Sequence, residues 1–184
     1  GKISPVHTIE DGEILTSVEA CYKREGTKAL AQYKVYKNEN YIDLNVTVEY
    51  NDKNKLIRLK IPASQGKVIG DGAFVVEKKA LKREITFQKW VGVKDGSGKV
   101  FAVINDGVYG GKAENGFIYL TLLRGAGYCF HPIPDRELYP KDRYLPRIEN
   151  GRYEYKFRIF CGSTEEVCRE AELFNQPPYA LNVF

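Results

Sequence analysis

Few residues in this chain have both the type and the spacing to do chemistry. Asn105-Asp106, followed closely by Tyr109, comes directly after the strand-like run Val100–Ile104. A carboxylate just past a buried strand can be aimed into a cleft, which makes Asp106 a candidate polar contact. An Asx turn, with the side chain accepting from nearby backbone, accounts for the same residues. Arg124 is the other candidate. It stands two residues past Leu122, so strict alternation places it on the apolar side of the strand Phe117–Leu123. An unpaired guanidinium there would be costly, so Arg124 either has a partner or faces a site. Cys129 and His131 are the remaining pair of nucleophile and base types, but two residues apart on a Pro-rich stretch is no triad geometry.

Other catalytic signatures are missing. No GxSxG, HExxH, P-loop or dinucleotide fingerprint is present. The four cysteines, Cys21, Cys129, Cys161 and Cys168, lack CxxC spacing, and with only two histidines no zinc cluster can be read. Glycoside hydrolysis needs two carboxylates about 5 Å apart for retention, and 24 scattered acids single out no such pair. The residues by themselves describe a polar corner around Asn105, Asp106, Tyr109 and Arg124 without a self-contained catalytic apparatus.

Strands must position that corner. Phe117–Leu123 is apolar on both faces, which predicts a central strand paired with Val100–Ile104 across a Gly- and Asn-rich connection. Earlier in the chain, strands are expected over Glu13–Glu25, Lys28–Lys37 and Lys55–Pro62, the last three of the early run forming a meander through Tyr41–Tyr50. In Tyr41–Tyr50, Ile42, Leu44, Val46, Val48 and Tyr50 alternate with polar residues, as a half-buried antiparallel strand requires. Gln65–Gly72 reads as a Gly-punctuated loop, Phe74–Ala80 and Glu84–Lys94 as strands, and Tyr128–Pro146 as a long irregular connection. Arg152–Gly162 is expected to be a strand with Tyr153, Tyr155, Phe157, Ile159 and Cys161 facing in. Ser163 and Glu166 then form a capping box ahead of a helix on which Val167, Ala171 and Phe174 share a face. The end, Tyr179–Phe184, reads as one more strand. About nine strands and one short helix near the C-terminus make a mainly β chain, an antiparallel β-sandwich, in a single domain over residues 1–184.

Composition agrees with a globular domain: 43% of residues are hydrophobic and 28% charged, with 13 Tyr and 9 Phe. The net charge of +4 is spread among interspersed acids and bases, so no basic face points to nucleic acid. No long apolar run suggests a membrane span or a signal peptide, and a cytoplasmic setting with reduced thiols is the default expectation. The opening GKISPVHTIEDGE and the ending PPYALNVF, with no Met anywhere, lead us to expect a piece of a longer protein.

Several runs in order resemble the C-terminal β region of bacterial α-mannosidases of glycoside hydrolase family 38. They are Ala29–Pro62, Phe87–Asp95, VINDGVYGG (Val103–Gly111), LTLLRGAGYCFHPI (Leu120–Ile133) and Tyr144–Ile159. The resemblance implies a large sandwich of the galactose-mutarotase-like type. It also implies a parent that is a zinc-dependent retaining α-mannosidase, acting on mannose-containing glycans. Zinc and the nucleophilic aspartate would lie on an N-terminal catalytic domain, so this piece would hold no cofactor and hydrolyse nothing alone. Asn105, Asp106, Tyr109, Gly110 and Arg124 match family motif positions, which implies pocket-wall or domain-interface roles. The expected partner is that catalytic domain, and apolar surface left bare by its absence could self-associate. An alternative is a free-standing carbohydrate-binding or interaction module, with Trp90, Tyr139 and Tyr144 as aromatic platforms.

Overall fold

A computed structural model of the chain describes residues 5–126, 147–176 and 179. Two antiparallel sheets face each other. The larger runs, in spatial order, β1 (His7–Asp11), β2 (Leu15–Arg24), β3 (Thr27–Tyr36), β4 (Tyr41–Tyr50), β13 (Gly151–Gly162), β10 (Val100–Asn105), β9 (Trp90–Lys94), β6 (Lys67–Asp71) and β7 (Val76–Lys78). The smaller is β5 (Leu56–Pro62), β12 (Phe117–Arg124), β11 (Gly110–Glu114) and β8 (Glu84–Thr86). One helix, α1 (Thr164–Asn175), follows β13. The expected antiparallel sandwich with a helix near the C-terminus is therefore the fold.

Alternation explains the main core. On β4 the even-numbered set buries Leu44, Val46, Val48 and Tyr50, as the sequence period requires. They meet Ile61, Ile85, Ala113, Ile118, Leu120 and Leu123 from the small sheet. Strand β10 is buried on both faces. Val103 enters the inter-sheet core, while Val100, Ala102 and Ile104 pack on the opposite side with Trp90, Phe160, Val167 and Ala171. That second core seats α1, whose capping box is present: Ser163 Oγ accepts from the Glu166 amide, and Glu166 reaches back to the Ser163 amide.

Arg158 fastens the helix to the sheet. Its guanidinium donates to both Asp43 oxygens at 2.7 and 3.0 Å, reaches Glu170 on α1, and lies 3.6 Å over the Tyr41 ring. Burial lowers its proton affinity, but the bonds to Asp43 and Glu170 raise it further, so the net shift is upward.

The structure corrects several expectations. The expected meander does not reach Lys55–Pro62: β5 leaves the β3–β4 ladder and pairs with β12 in the other sheet. Gln65–Gly72 contains strand β6, because Val68, Ile69 and Gly70 are buried and its glycines permit close approach. The run Glu84–Lys94 is divided between the sheets as β8 and β9. The Gly-rich connection after β10 contains β11, whose two glycines hid a strand, and Phe117–Leu123 pairs with β11 and β5 instead of with Val100–Ile104, which lies in the other sheet. The described residues thus hold thirteen strands rather than about nine. Cys161, expected inward, is exposed, and Phe160, on the opposite face by alternation, is the buried neighbour packed in the helix-side core. Cys21 is half-buried rather than core, and Cys21, Cys161 and Cys168 are free thiols. Trp90 is 1% exposed, which removes it as a ligand platform. Cys129, His131, Tyr139, Tyr144 and most of Tyr179–Phe184 lie outside the described residues.

Candidate functional site

The end of β10 feeds directly into the turn. Asn105 is completely buried, and its side chain is committed on both sides. Its Oδ1 accepts the amides of Gly107 at 3.0 Å and Val108 at 2.6 Å, and its Nδ2 donates to the Gln88 carbonyl at 3.1 Å. The Asn105 amide donates to Lys89 O, and its carbonyl accepts from Asn175 Nδ2 at 3.1 Å. Asn105 is the pin of the turn, not a group free to meet a ligand. Asp106 is outside, exposed, with one oxygen 3.4 Å from the Lys156 amide. Tyr109 is 66% exposed, its carbonyl holding the Phe87 amide. Gly110 opens β11 opposite Thr86.

Asp106 and Tyr109 border a depression of about 540 Å³ that also takes in Gln88, Lys89 and Asn175, while Asn105 and Gly110 stand behind its wall without lining it. Lys89 is not a loose cation there, since its ammonium pairs with Glu172 on α1. Asp106 is the one carboxylate of the lining. The arrangement can stack a ring on Tyr109 and hydrogen-bond through Asp106, Gln88 and Asn175. It offers no nucleophile beside a base.

Arg124 does not join this group. The β5–β12 register slips between Thr121 and Leu123, so Leu122 is an extra residue. Tyr155 marks the bulge by donating its hydroxyl to Leu122 O at 3.0 Å, and burial pushes that phenol up to about 12. Past the bulge Leu123 turns into the core and Arg124 turns out, exposed, opposite Leu56 at the strand end. It has no ion-pair partner among the described residues, so the inward orientation expected from strict alternation is overturned. Sequence reasoning also missed Gln88, Lys89 and Asn175. Asn175 alone carried a signal, as an Asn at the end of a helical period.

Among the described residues no group of three or more His, Cys, Asp or Glu could hold a metal. Zinc does not fit them, and no chemical step is derived through it. No helix among them is long and apolar enough to cross a membrane.

A two-layer antiparallel sandwich that positions a polar turn, with a single docked helix, defines the class: a β domain that can support or border a site. The family is more specific. Residues 2–137 match the model of the glycosyl hydrolases family 38 C-terminal domain, and the chain belongs to that family. Two solved structures share its fold. One is a protein in glycosyl hydrolase family 38 from Enterococcus faecalis, with TM-score 0.74 and 15% identity over 96% of this chain. The other is an alpha-mannosidase from Enterococcus faecalis V583, with TM-score 0.72 and 15% identity over 96% of this chain. The chain spans only about a quarter of each, 25% and 24%. No curated protein matches it.

Proposed function

We propose that this chain is the non-catalytic β domain of a zinc-dependent, retaining α-mannosidase that removes terminal α-mannose from glycans. Its work is to support a catalytic domain carried elsewhere in a longer protein and to border the sugar pocket with the turn at Asp106 and Tyr109. The observation that carries this reading is the coverage: the family 38 C-terminal domain model matches residues 2–137, and the fold aligned over 96% of this chain makes up only 24% of an alpha-mannosidase. The lining supports it, since one carboxylate beside an exposed tyrosine can hold a sugar but cannot hydrolyse one. Arg124, turned outward at the end of β12, suits a contact with that catalytic domain, where a planar fork grips a carboxylate.

The purified chain is expected to release no aryl group from an aryl α-mannoside, with or without added zinc. In the parent protein, Tyr109→Ala and Asp106→Ala are expected to raise KM, with activity lost on chelation. Turnover by the purified chain that survives a chelator would overturn the reading.

A further inference from the structure

The outer face of the small sheet carries chemistry that the turn at Asp106 does not use. Ile118 and Leu120 of β12 point into the core, so Phe117 and Tyr119 point away from it, with ring centroids 6.2 Å apart. The neighbouring strands bring charged groups around them: Lys60 lies opposite Tyr119 on β5, and Lys112 opposite Tyr119 on β11. The ammonium of Lys60 sits 3.8 Å over the Phe117 ring and 5.7 Å from that of Tyr119. Lys112 is paired with Glu114 at 2.8 Å. Arg58 stands on one edge strand and Glu84 on the other, yet they meet at 2.6 Å. The two side chains therefore reach toward each other across β12 and β11. Its Nε is enclosed without a hydrogen-bond partner.

Two aromatic rings about one sugar unit apart, framed by ion pairs already satisfied with each other, suit a particular ligand. A protein surface seated here would have to strip water from two ion pairs, a cost their mutual attraction does not recover. An anion would meet Glu84 and Glu114. A neutral pyranose brings apolar C–H faces for the rings and hydroxyls that replace water on the charged heads. We propose that the outer face of the small sheet, centred on Phe117 and Tyr119, is a binding platform for neutral oligosaccharide chains. This site is separate from the depression at Asp106 and does not depend on the α-mannosidase reading.

The test is a titration of the 184-residue chain with linear mannotetraose and with cellotetraose, followed by ring-proton chemical shifts and calorimetry. Saturable binding of at least one of the two, with shifts at Phe117 and Tyr119, is expected. Phe117→Ala with Tyr119→Ala should weaken it by about tenfold to a hundredfold, while Leu173→Ala, exposed on α1, leaves it unchanged. Phe117→Leu with Tyr119→Leu, which keeps apolar bulk but loses the ring faces, gives a second variant should the alanine pair disturb folding, and it should weaken binding as well. No saturation by either sugar up to about 10 mM, a range that would still reveal weak binding, overturns the proposal. So does binding lost with Tyr109→Ala but retained in the variants of the sheet face.

Discussion

Removing the Asn105 side chain should destabilise the whole domain, although the residue sits in a turn at the edge of a candidate site. Asn105→Ala deletes three hydrogen bonds, two accepted from the Gly107 and Val108 amides and one donated to Gln88 O. At about 1 kcal/mol each the loss is about 3 kcal/mol. The Val108 amide is buried, so its desolvation is not recovered from water and the true cost lies at or above that figure. With a urea m-value of about 2–3 kcal/mol/M for a chain of this size, the unfolding midpoint should fall by about 1 M or more. Asn105→Asp keeps the acceptor for both amides but turns a carboxylate oxygen toward the Gln88 carbonyl. It should be destabilised more at neutral pH than in mild acid, where a proton restores the donor. Asp106→Ala next door removes one long bond from an exposed group and should change stability by about 0.5 kcal/mol or less. Urea unfolding followed by far-UV circular dichroism separates the three. If Asn105→Ala costs less than Asp106→Ala, or leaves the midpoint in place, Asn105 is not the pin of the turn and the division between structural and exposed residues fails.

Arg158→Ala should leave Asp43 and Glu170 facing each other without their shared cation, at a cost of about 2 kcal/mol once their partial solvent contact is allowed for. Because Trp90 packs in the same helix-side core, its emission should shift to the red and become easier to quench as α1 loosens; Arg158→Lys should recover only part of this, for lack of the fork. Tyr155→Phe loses the bond to Leu122 O and should cost about 1 kcal/mol at neutral pH. Tyr155 ionises at about 12 in the folded chain, above its ordinary value of 10. The folded state therefore favours the neutral phenol, and this contribution is whole below pH 10 and lost as pH rises from 10 through 12. Alkaline titration of stability should show a shallower decline over that interval in the Phe variant.

The legible parts of the fold were those where a local pattern decides the structure. Leu44, Val46, Val48 and Tyr50 alternate without interruption, and β4 is the strand they announce. Ser163 and Glu166 satisfy each other within four residues, so the helix start could be read as written. What depends on distant pairing could not. The slip at Leu122 arises only when β12 is laid beside β5, and it reverses the direction of every later residue, Arg124 included. Gly70 and Gly111 look like breaks in the sequence, yet each allows backbone or a ring to approach where a Cβ would collide. The turn at Asn105 was visible from its residue types, while Gln88, Lys89 and Asn175 reach it from elements 17 residues before and 70 after. The meeting of Arg58 with Glu84 across four strands has no trace in either local stretch.

The order in which the strands are visited has a further consequence. The chain changes layer after β4, β5, β7, β8, β10 and β12; β5, β6 and β8 each leave an edge that is paired only when β12, β9 and β11 return to it. Neither layer can be assembled from one continuous length of polypeptide, so most stabilising pairings close long loops and formation should be slow and all-or-none. A piece laced in this way can be inherited, transplanted or discarded only as a unit: any cut between Pro62 and Phe117 leaves both layers unfinished.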